Sequence, residues 1–283
     1  MTIAVVTDST AYLPAELGGT YELTIVPLTV VINGWDGLEG LEISPAEVAR
    51  ALGTRRVAVS TSRPAPSQFA AEFRRLLDAG ADGVVSVHLS AKLSGTFEAA
   101  QLAAAEIGPQ VQVVDSGTAA MGLGFPALAA AASAAKGEDL DSVRRTAVAC
   151  SERVTTFFYV DTLEFLRRGG RIGAASALVG TALSVKPILH VLDGEVVVKD
   201  RVRTAGRALV RLVDLAVEAA GDGEADVAVH HLGTPDRASA LVDAISTRLG
   251  DRLRDCYLTE VGAVVAAHTG PGLAGVVVHR RSG

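Results

Sequence analysis

The sequence predicts an α/β protein in which a mostly parallel sheet covered by helices is followed by a second, α+β domain. Short apolar runs alternate with helical patterns through the first half of the chain, which is typical of a parallel sheet. In the second half, Asp193-Gly194 stands between two apolar runs and predicts a hairpin. Hydrophobic residues make up 49% of the 283 residues, so the chain can fill the cores of two domains.

The first half opens on a strand at 2–6 and continues with a strand at 23–32 that runs into a Gly-rich turn at 33–37. Ser44-Pro45-Ala46-Glu47 is a capping box with proline at the first helical position, so a helix starts there. Apolar residues at helical spacing predict a helix over 66–79. The later predicted elements are strand 84–89, helix 95–106, strand 111–114, an Ala-rich helix from about 119, and a helix from 139 to about 152.

The regular alternation of predicted strands and helices changes after a predicted strand at 154–160. Residues 165–173 contain a helix end, a glycine stop and a new helix start, and a hairpin over 185–198 follows. The remaining predicted elements are helix 204–219, strand 226–231, helix 235–249, strand 255–260, a short helix and strand 273–279. We therefore place the boundary near residue 157, giving an N-terminal α/β domain of 1–157 and a C-terminal α+β domain of 158–283.

Composition and charge argue against several classes of function. The net charge is −6 and aromatic residues make up only 4%, which argues against a nucleic-acid-binding protein. No uninterrupted apolar run reaches the ~18 residues of a membrane span. The start, MTIAVVTDS, lacks the basic region of a secretory signal, so we expect a cytoplasmic protein. In that compartment Cys150 and Cys256 are expected to be buried free thiols rather than a disulfide.

Four clusters of small polar residues follow predicted strands. They are Thr7 to Thr10, Ser60 to Pro64 after a short strand at 57–59, Ser94-Gly95-Thr96, and Asp115 to Thr118. A helix start with free backbone N–H groups, capped by Ser94 or Thr96, can bind a phosphate or a carboxylate. Ligands of open parallel sheets bind outside the carboxyl ends of the strands, so we expect the clusters to line one crevice. The alternative for each cluster is an ordinary helix cap.

Histidines supply the other candidate groups. His268 precedes Gly270-Pro271-Gly272, a loop that brings backbone close to a neighbour, and its imidazole can bond a carboxylate or phosphate; the alternative is a structural histidine. His230-His231 face opposite sides of a strand and have no companion ligands, so we predict no metal site. Ser94, His268 and Asp8 could be combined into a hydrolase triad, but nothing in the sequence orients the histidine.

Taken in order, the motifs resemble the DegV family of bacterial fatty-acid-binding proteins over essentially the whole chain. The matching segments are Thr7-Asp8-Ser9, Val26-Pro27-Leu28, Thr61 to Pro64, Leu93 to Phe97, Asp115-Ser116, Arg168 to Ile172, Lys186 to Leu189 and His268 to Gly272. The resemblance implies a two-domain DegV-like fold with a ligand tunnel between the domains. It also implies a long-chain fatty acid as ligand, no cofactor, and a non-catalytic carrier subunit. An ATP-dependent fatty acid kinase would be the partner, turning the bound carboxylate into an acyl phosphate for phospholipid synthesis.

The resemblance also assigns roles to residues. The carboxylate ligands it implies are Thr61, Ser62, Ser94, Gly95 and His268. Candidate contacts at the tunnel mouth or with the partner are Arg171, Arg203, Arg167 and Arg168. A basic group near a helix end is commonly just solvated, and the alternative is contact with the kinase or, transiently, with an anionic membrane surface. Two positions depart from the family pattern, Arg63 where a neutral residue is common and Ala91 where serine is frequent, and neither removes an implied ligand.

A second function from another class stays open at this point. The chain could be an enzyme acting on a small phosphorylated or carboxylated metabolite, with His268 as acid or base and Ser94 as anion ligand or nucleophile. The sequence shows no P-loop, no G-x-S-x-G elbow and no dinucleotide-binding fingerprint after the first strand. The carrier is the preferred interpretation because a fatty acid needs an apolar tunnel with one polar end, which an Ala/Val/Leu-rich chain can build.

Overall fold

The structure is a computed structural model that describes residues 1–14, 17, 21–54, 57–178 and 185–282. The chain forms two compact units, the first of Met1–Thr29 and Ser62–Glu152, the second of Val30–Thr61 and Arg153–Gly283. This grouping differs from the sequence-based division because residues 30–61, which that division gives to the N-terminal domain, pack within the second unit. The division into domains 1–157 and 158–283 remains a prediction, and the two compact units are described separately below.

The predicted alternation of strands and helices is confirmed. The strands are β1 (Ile3–Asp8), β2 (Leu23–Val26), β3 (Thr29–Ile32), β4 (Trp35–Leu38), β5 (Val59–Ser62), β6 (Gly83–His88), β7 (Val111–Asp115), β8 (Val154–Tyr159), β9 (Lys186–Leu192), β10 (Glu195–Val202), β11 (Ala225–His231), β12 (Leu253–Glu260) and β13 (Ala274–Arg280). The helices are α1 (Pro45–Gly53), α2 (Pro66–Asp78), α3 (Thr96–Ile107), α4 (Met121–Ala135), α5 (Leu140–Ser151), α6 (Glu164–Arg168), α7 (Ala205–Ala220), α8 (Pro235–Leu249) and α9 (Ala263–Thr269). Short 3-10 segments lie at Ser9–Ala11, Gly173–Leu178 and Gly250–Arg252.

The first unit is a four-stranded parallel sheet in the order β2-β1-β6-β7 with helices on both faces. One face packs on α4 and α5 through an Ala-rich core that includes Ala127, Ala130 and Ala147. The other face packs on α2 and α3, where Phe69 and Phe73 are fully buried. Every residue of β6 is buried, which explains why its apolar residues do not alternate with exposed polar ones. The parallel, helix-covered sheet that the sequence predicts is confirmed.

Residues 23–38 differ from the prediction. The single strand expected at 23–32 is two strands, because β2 joins the parallel sheet and β3 joins a separate three-stranded sheet in the order β4-β3-β5. Pro27 lies between them, where its missing N–H removes a ladder hydrogen bond. The Gly-rich turn at 33–37 is a tight Asn33-Gly34 turn with φ of 52° and 84°, and β4 follows it at once.

The second unit is built on a six-stranded mixed sheet in the order β10-β9-β8-β13-β11-β12. Neighbours pair antiparallel except β11 and β12, which are parallel. Helices α7 and α8 cover one face through a core that includes Leu212, Leu215 and Ile245. The predicted hairpin is confirmed, with Asp193 at φ 49° and Gly194 at φ 81° between β9 and β10. The α+β character predicted for this part of the chain is confirmed as well.

Segment 30–61 joins the second unit through α1 and α9. The buried Glu39 carboxylate accepts a hydrogen bond of 2.7 Å from the backbone N–H of Val264 at the start of α9. The predicted capping box of Ser44 and Glu47 opens α1. Both cysteines are free, Cys150 buried and Cys256 partly buried. In the described ranges no helix is both long enough and apolar enough to cross a bilayer.

Candidate functional site

The second unit brings Thr61 and His268 together. Thr61 lies in β5 and His268 in the last turn of α9, and the distance between Thr61 Oγ1 and His268 Nε2 is 2.8 Å. Gly270, at φ 70°, ends α9 in the left-handed conformation that favours glycine. Two motifs separated by 207 positions in the chain therefore meet at one hydrogen bond.

The other ring nitrogen of His268 is in a different situation. Nδ1 is buried and has no hydrogen-bond partner among the described residues. Gly169 packs against it so closely that a Cβ built at position 169 would overlap Nδ1 and lie 2.9 Å from Cε1. Burial, together with the positive charge of Arg171, lowers the pKa of His268 from 6.5 to about 4. The imidazole is therefore neutral near neutral pH.

The glycine-rich loop after His268 is held by close approaches, as its sequence predicts. A Cβ on Gly270 would overlap the ring of Phe165, and one on Gly272 would overlap Oδ2 of Asp161. Asp161 is itself fixed, since its carboxylate accepts a hydrogen bond of 2.5 Å from the hydroxyl of the buried Tyr159. Burial, together with this neighbouring carboxylate, raises the pKa of Tyr159, so the phenol stays protonated and keeps donating. The loop that follows His268 is thus held in place by close contacts.

The four candidate arginines have different surroundings. Arg171 Nη1 donates to the Gly169 carbonyl at 2.5 Å, which places its guanidinium in the neighbourhood of His268. Arg167 and Arg168 are exposed on α6 and pair with Glu164 at 3.7 and 2.7 Å. Arg203 is exposed between β10 and α7. The structure therefore associates Arg171 with the Thr61–His268 pair and leaves the roles of the other three as predictions.

Ser94 and Gly95 lie in the first unit at the start of α3. The N-cap residue is Gly95, which has no side chain to cap the helix, and not Ser94 or Thr96. Ser94 Oγ instead accepts from the Thr96 N–H at 3.3 Å and lies 2.9 Å from the Thr96 hydroxyl. Sequence reasoning missed the role of Arg63, whose guanidinium donates to the Gly95 carbonyl at 3.2 Å and to Glu98 at 2.8 Å. A Cβ at Gly95 would lie 2.5 Å from Arg63 Nη1, so a larger residue at position 95 would displace this guanidinium.

Ser62 and the second polar cluster depart from the predicted arrangement. Ser60, Thr61 and Ser62 lie within β5, a strand of the three-stranded sheet, rather than after a strand at 57–59. Ser62 is the last residue of β5, and its hydroxyl donates to the Arg63 carbonyl at 3.3 Å. Of the five predicted carboxylate ligands, Thr61 and His268 thus belong to the second unit. The other three, Ser62, Ser94 and Gly95, belong to the first.

A buried network in the first unit was also missed by the sequence reasoning. Asp8 at the end of β1 accepts from Thr10 N–H and Oγ1 with one oxygen, and with the other lies 3.0 Å from both His88 Nδ1 and the Leu89 nitrogen. His88 Nε2 lies 2.6 Å from Ser86 Oγ, and all three side chains are fully buried. Both carboxylate oxygens of Asp8 are therefore engaged within the first unit, where the histidine that Asp8 contacts is His88. The two residues meet because the parallel strands β1 and β6 are neighbours in the sheet, which the sequence alone does not specify.

The fourth cluster is also internally satisfied. The Asp115 carboxylate accepts from Gly117 N–H at 2.8 Å and from Ala91 N–H at 3.3 Å. Ser116 Oγ contacts the backbone of Thr118, accepting from its N–H and donating to its carbonyl at 3.3 Å. These short polar residues fix the loops at the carboxyl ends of β6 and β7. The observed hydrogen bonds of this cluster therefore fit a role in holding the local loops, which was the alternative to ligand binding.

Comparison with known proteins gives the class. The model of the DegV family, whose members it describes as uncharacterised proteins, matches residues 2–281. A DegV domain-containing protein of Streptomyces coelicolor is 52% identical over 279 residues, covering 99% of each chain. The chain therefore belongs to the DegV family.

Solved structures of DegV proteins have the same fold. A DegV family protein of Thermus thermophilus, described as binding fatty acid, matches with a TM-score of 0.93 and 35% identity over 99% of this chain and 100% of its own. The DegV protein of Bacillus subtilis, described as a fatty acid binding protein, matches with a TM-score of 0.89 and 30% identity over the same shares. The predicted DegV-like fold is confirmed.

Proposed function

We propose that this protein binds a long-chain fatty acid in a buried tunnel and presents its carboxylate to a partner kinase. The observation that carries the proposal is the likeness of the whole chain to DegV proteins described as fatty acid binding, at 35% and 30% identity. The chain also has the partly buried Thr61–His268 pair, in which Thr61 Oγ1 and His268 Nε2 are 2.8 Å apart. The protein would act as a non-catalytic carrier in the cytoplasm.

The chemistry of the pair suits a carboxylate. His268 is neutral and shares one hydrogen bond with the Thr61 hydroxyl, so the pair can offer a hydrogen-bond donor without adding a charge of its own. A carboxylate held by such groups stays nucleophilic, whereas a bidentate arginine pair would compete for the same lone pairs. We include Ser62, Ser94 and Gly95 as further carboxylate ligands on the strength of the motif resemblance. Each buried methylene of the acyl chain would add ~0.8 kcal/mol to binding before the costs of association.

The partner would supply the reaction. An ATP-dependent fatty acid kinase transfers the γ-phosphoryl group of ATP to a carboxylate oxygen, giving an acyl phosphate and ADP. Arg171 and Arg203 are proposed to lie at the tunnel mouth or at the contact with the kinase, and Arg167 and Arg168 to extend that basic contact. The same arginines could meet an anionic membrane surface transiently, with ~1 kcal/mol of attraction per basic residue. The acyl phosphate would feed phospholipid synthesis.

The first experiment identifies the ligand. Organic extracts of the purified protein are analysed by mass spectrometry, and we expect long-chain fatty acids in amounts comparable to the protein. Hydrolase turnover by a protein that carries no lipid and binds none on addition would favour instead an enzyme acting on a small phosphorylated or carboxylated metabolite. No observation in the described residues favours that enzyme, because Ser94 bonds Thr96 and His268 bonds Thr61.

The second experiment tests the carboxylate ligands with a matched pair of variants. Thr61→Val keeps the shape of the side chain and removes the hydroxyl, so we expect fatty acid affinity to fall about tenfold or more, since a hydrogen bond to a charged group contributes roughly 1.5–3 kcal/mol. Thr259→Val removes a hydroxyl that lies at the same distance, 2.8 Å, from a ring nitrogen of His230 in the same unit. Equal affinities for oleate in both variants, measured by calorimetry, would remove Thr61 from the proposed site.

A further inference from the structure

The imidazole of His268 occupies the space that a side chain at position 169 would need. The backbone of Gly169, at φ −75° and ψ −8°, is in the right-handed helical region that every residue adopts. The residue that needs glycine to leave α6 is the next one, Gly170, at φ 71°. A Cβ at 169 would instead overlap His268 Nδ1. The missing side chain at 169 therefore makes room for the imidazole and does not serve the turn.

The same contact decides which nitrogen of His268 carries the proton. A neutral imidazole has one N–H, on either Nδ1 or Nε2. On Nδ1 the proton would point at Gly169 and be a buried donor with no acceptor among the described residues. On Nε2 it has an acceptor, Thr61 Oγ1 at 2.8 Å. Thr61 Oγ1 then accepts, and its own hydroxyl proton remains free to donate.

We propose that Gly169 is a positioning residue that holds His268 as the Nε2–H tautomer. In this tautomer the Thr61 hydroxyl can donate a hydrogen bond to the ligand carboxylate. The carboxylate part of this inference rests on the function proposed above. With the opposite tautomer, the Thr61 hydroxyl would donate its hydrogen bond to His268 Nε2. Only the lone pairs of Thr61 Oγ1 would then face the ligand, and they repel an anion. The tautomer thus determines whether the pair attracts or rejects a carboxylate.

Arg171 reinforces the arrangement from the other side of Gly169. Its guanidinium donates to the Gly169 carbonyl at 2.5 Å, so one residue accommodates the imidazole with its Cα and anchors a cation with its carbonyl. The nearby positive charge disfavours a second proton on the ring, and burial acts in the same direction. His268 therefore remains neutral, and the choice between its tautomers is left to Gly169 and Thr61.

The direct test is spectroscopic and needs no ligand. Long-range proton–nitrogen NMR correlations on the delipidated full chain with labelled histidine distinguish the two neutral tautomers, and His268→Gln identifies the signal of His268 among the six histidines. We expect the Nε2–H pattern near neutral pH. An Nδ1–H pattern would overturn the proposal. This measurement on the parent protein decides the tautomer even if a variant at 169 does not fold.

A pair of glycine variants tests the positioning role. Gly169→Ala should displace the ring, remove the pure Nε2–H pattern and weaken oleate binding about tenfold. Gly206→Ala is the control, because a Cβ at 206 meets no atom within 4 Å, and it should leave both readouts unchanged. If the parent binds oleate and Gly169→Ala binds it equally with an unchanged tautomer, the positioning role is wrong. If the parent binds no fatty acid, the proposed function fails, and the tautomer measurement still decides the role of Gly169.

Discussion

Two histidine clusters, one in each unit, differ in how completely they are bonded. In the first unit both ring nitrogens of His88 have partners, Asp8 and Ser86, and all three side chains are fully buried. In the second unit His268 has one partner, Thr61, and its Nδ1 has none among the described residues. A fully bonded network rigidifies the structure around it, whereas in the proposed tautomer of His268 the Thr61 hydroxyl proton is available to a ligand. Asp8, His88 and Ser86 thus form one fully buried chain of hydrogen bonds.

The largest expected effect breaks the saturated network. Asp8→Ala leaves the His88 ring and the backbone N–H groups of Thr10 and Leu89 buried without their acceptor. We expect the free energy of unfolding to fall by about 3–5 kcal/mol, measured by urea denaturation. Asp78→Ala, at the exposed end of α2, is the control and should change stability by less than about 0.5 kcal/mol. A loss below about 1 kcal/mol for Asp8→Ala would show that the network is not structural.

The second prediction concerns pH. The pKa of His268 is lowered from 6.5 to about 4, and burial lowers that of His230 to about 4 as well. Between pH 4 and 6.5 the unfolded chain therefore binds more protons than the folded chain at these two histidines. Their contribution to stability is complete above pH 6.5 and is lost as the pH falls to 4, by roughly 3 kcal/mol for each.

Variants attribute that pH dependence. His268→Gln and His230→Gln should each flatten the decline of unfolding free energy between pH 6.5 and 4, measured by denaturation at a series of pH values. His268→Gln should in addition lose fatty acid affinity, whereas His230→Gln should retain it, because His230 bonds Thr259 rather than Thr61. If both variants decline as steeply as the parent, other groups control the acid sensitivity.

A smaller effect is expected next to the polar cluster at 115–118. Ala120, just before α4, has φ 56° and ψ −144°, a strained conformation for a residue with a Cβ. Ala120→Gly should raise the midpoint of thermal unfolding, corresponding to about 1 kcal/mol of relieved strain. Ala132→Gly, inside α4, is the matched control and should lower it by a similar amount. A lower midpoint for Ala120→Gly would mean that the methyl group contributes packing that outweighs the strain.

The smallest effect on stability is expected at Arg167 and Arg168. Both are more than half exposed and pair with Glu164 on their own helix, so replacing both by alanine should change the unfolding free energy by less than about 1 kcal/mol. Fatty acid binding should stay intact, while acyl phosphate formation with the kinase or exchange with anionic liposomes should slow. If all three activities match the parent protein, the two arginines are a solvated helix end and the contact is disproved.

Some elements of the fold can be predicted from residues that are close together in the sequence, and others cannot. The capping box at Ser44, the Asp193-Gly194 hairpin and the amphipathic α2 were all predictable, because each depends on residues within a few positions of one another. The split of 23–32 into two strands was not predicted, because periodicity does not say which sheet a strand joins, although Pro27 was a local signal. The assignment of β5 to the three-stranded sheet was missed for the same reason.

By itself the sequence determined the alternation of strands and helices, the family, and the residue types of a candidate carboxylate site. Short-range hydrogen bonding and periodic burial produce the strands and helices, whereas the family and the candidate ligands come from the resemblance of the ordered motifs. Only the tertiary structure decided which polar groups form hydrogen bonds with each other: Asp8 with His88, Arg63 with the Gly95 carbonyl, and His268 with Thr61. It also decided that Gly169 is required by an imidazole 99 positions further along the chain rather than by its own turn. Packing between segments distant in the sequence sets these pairings, and no local pattern encodes them.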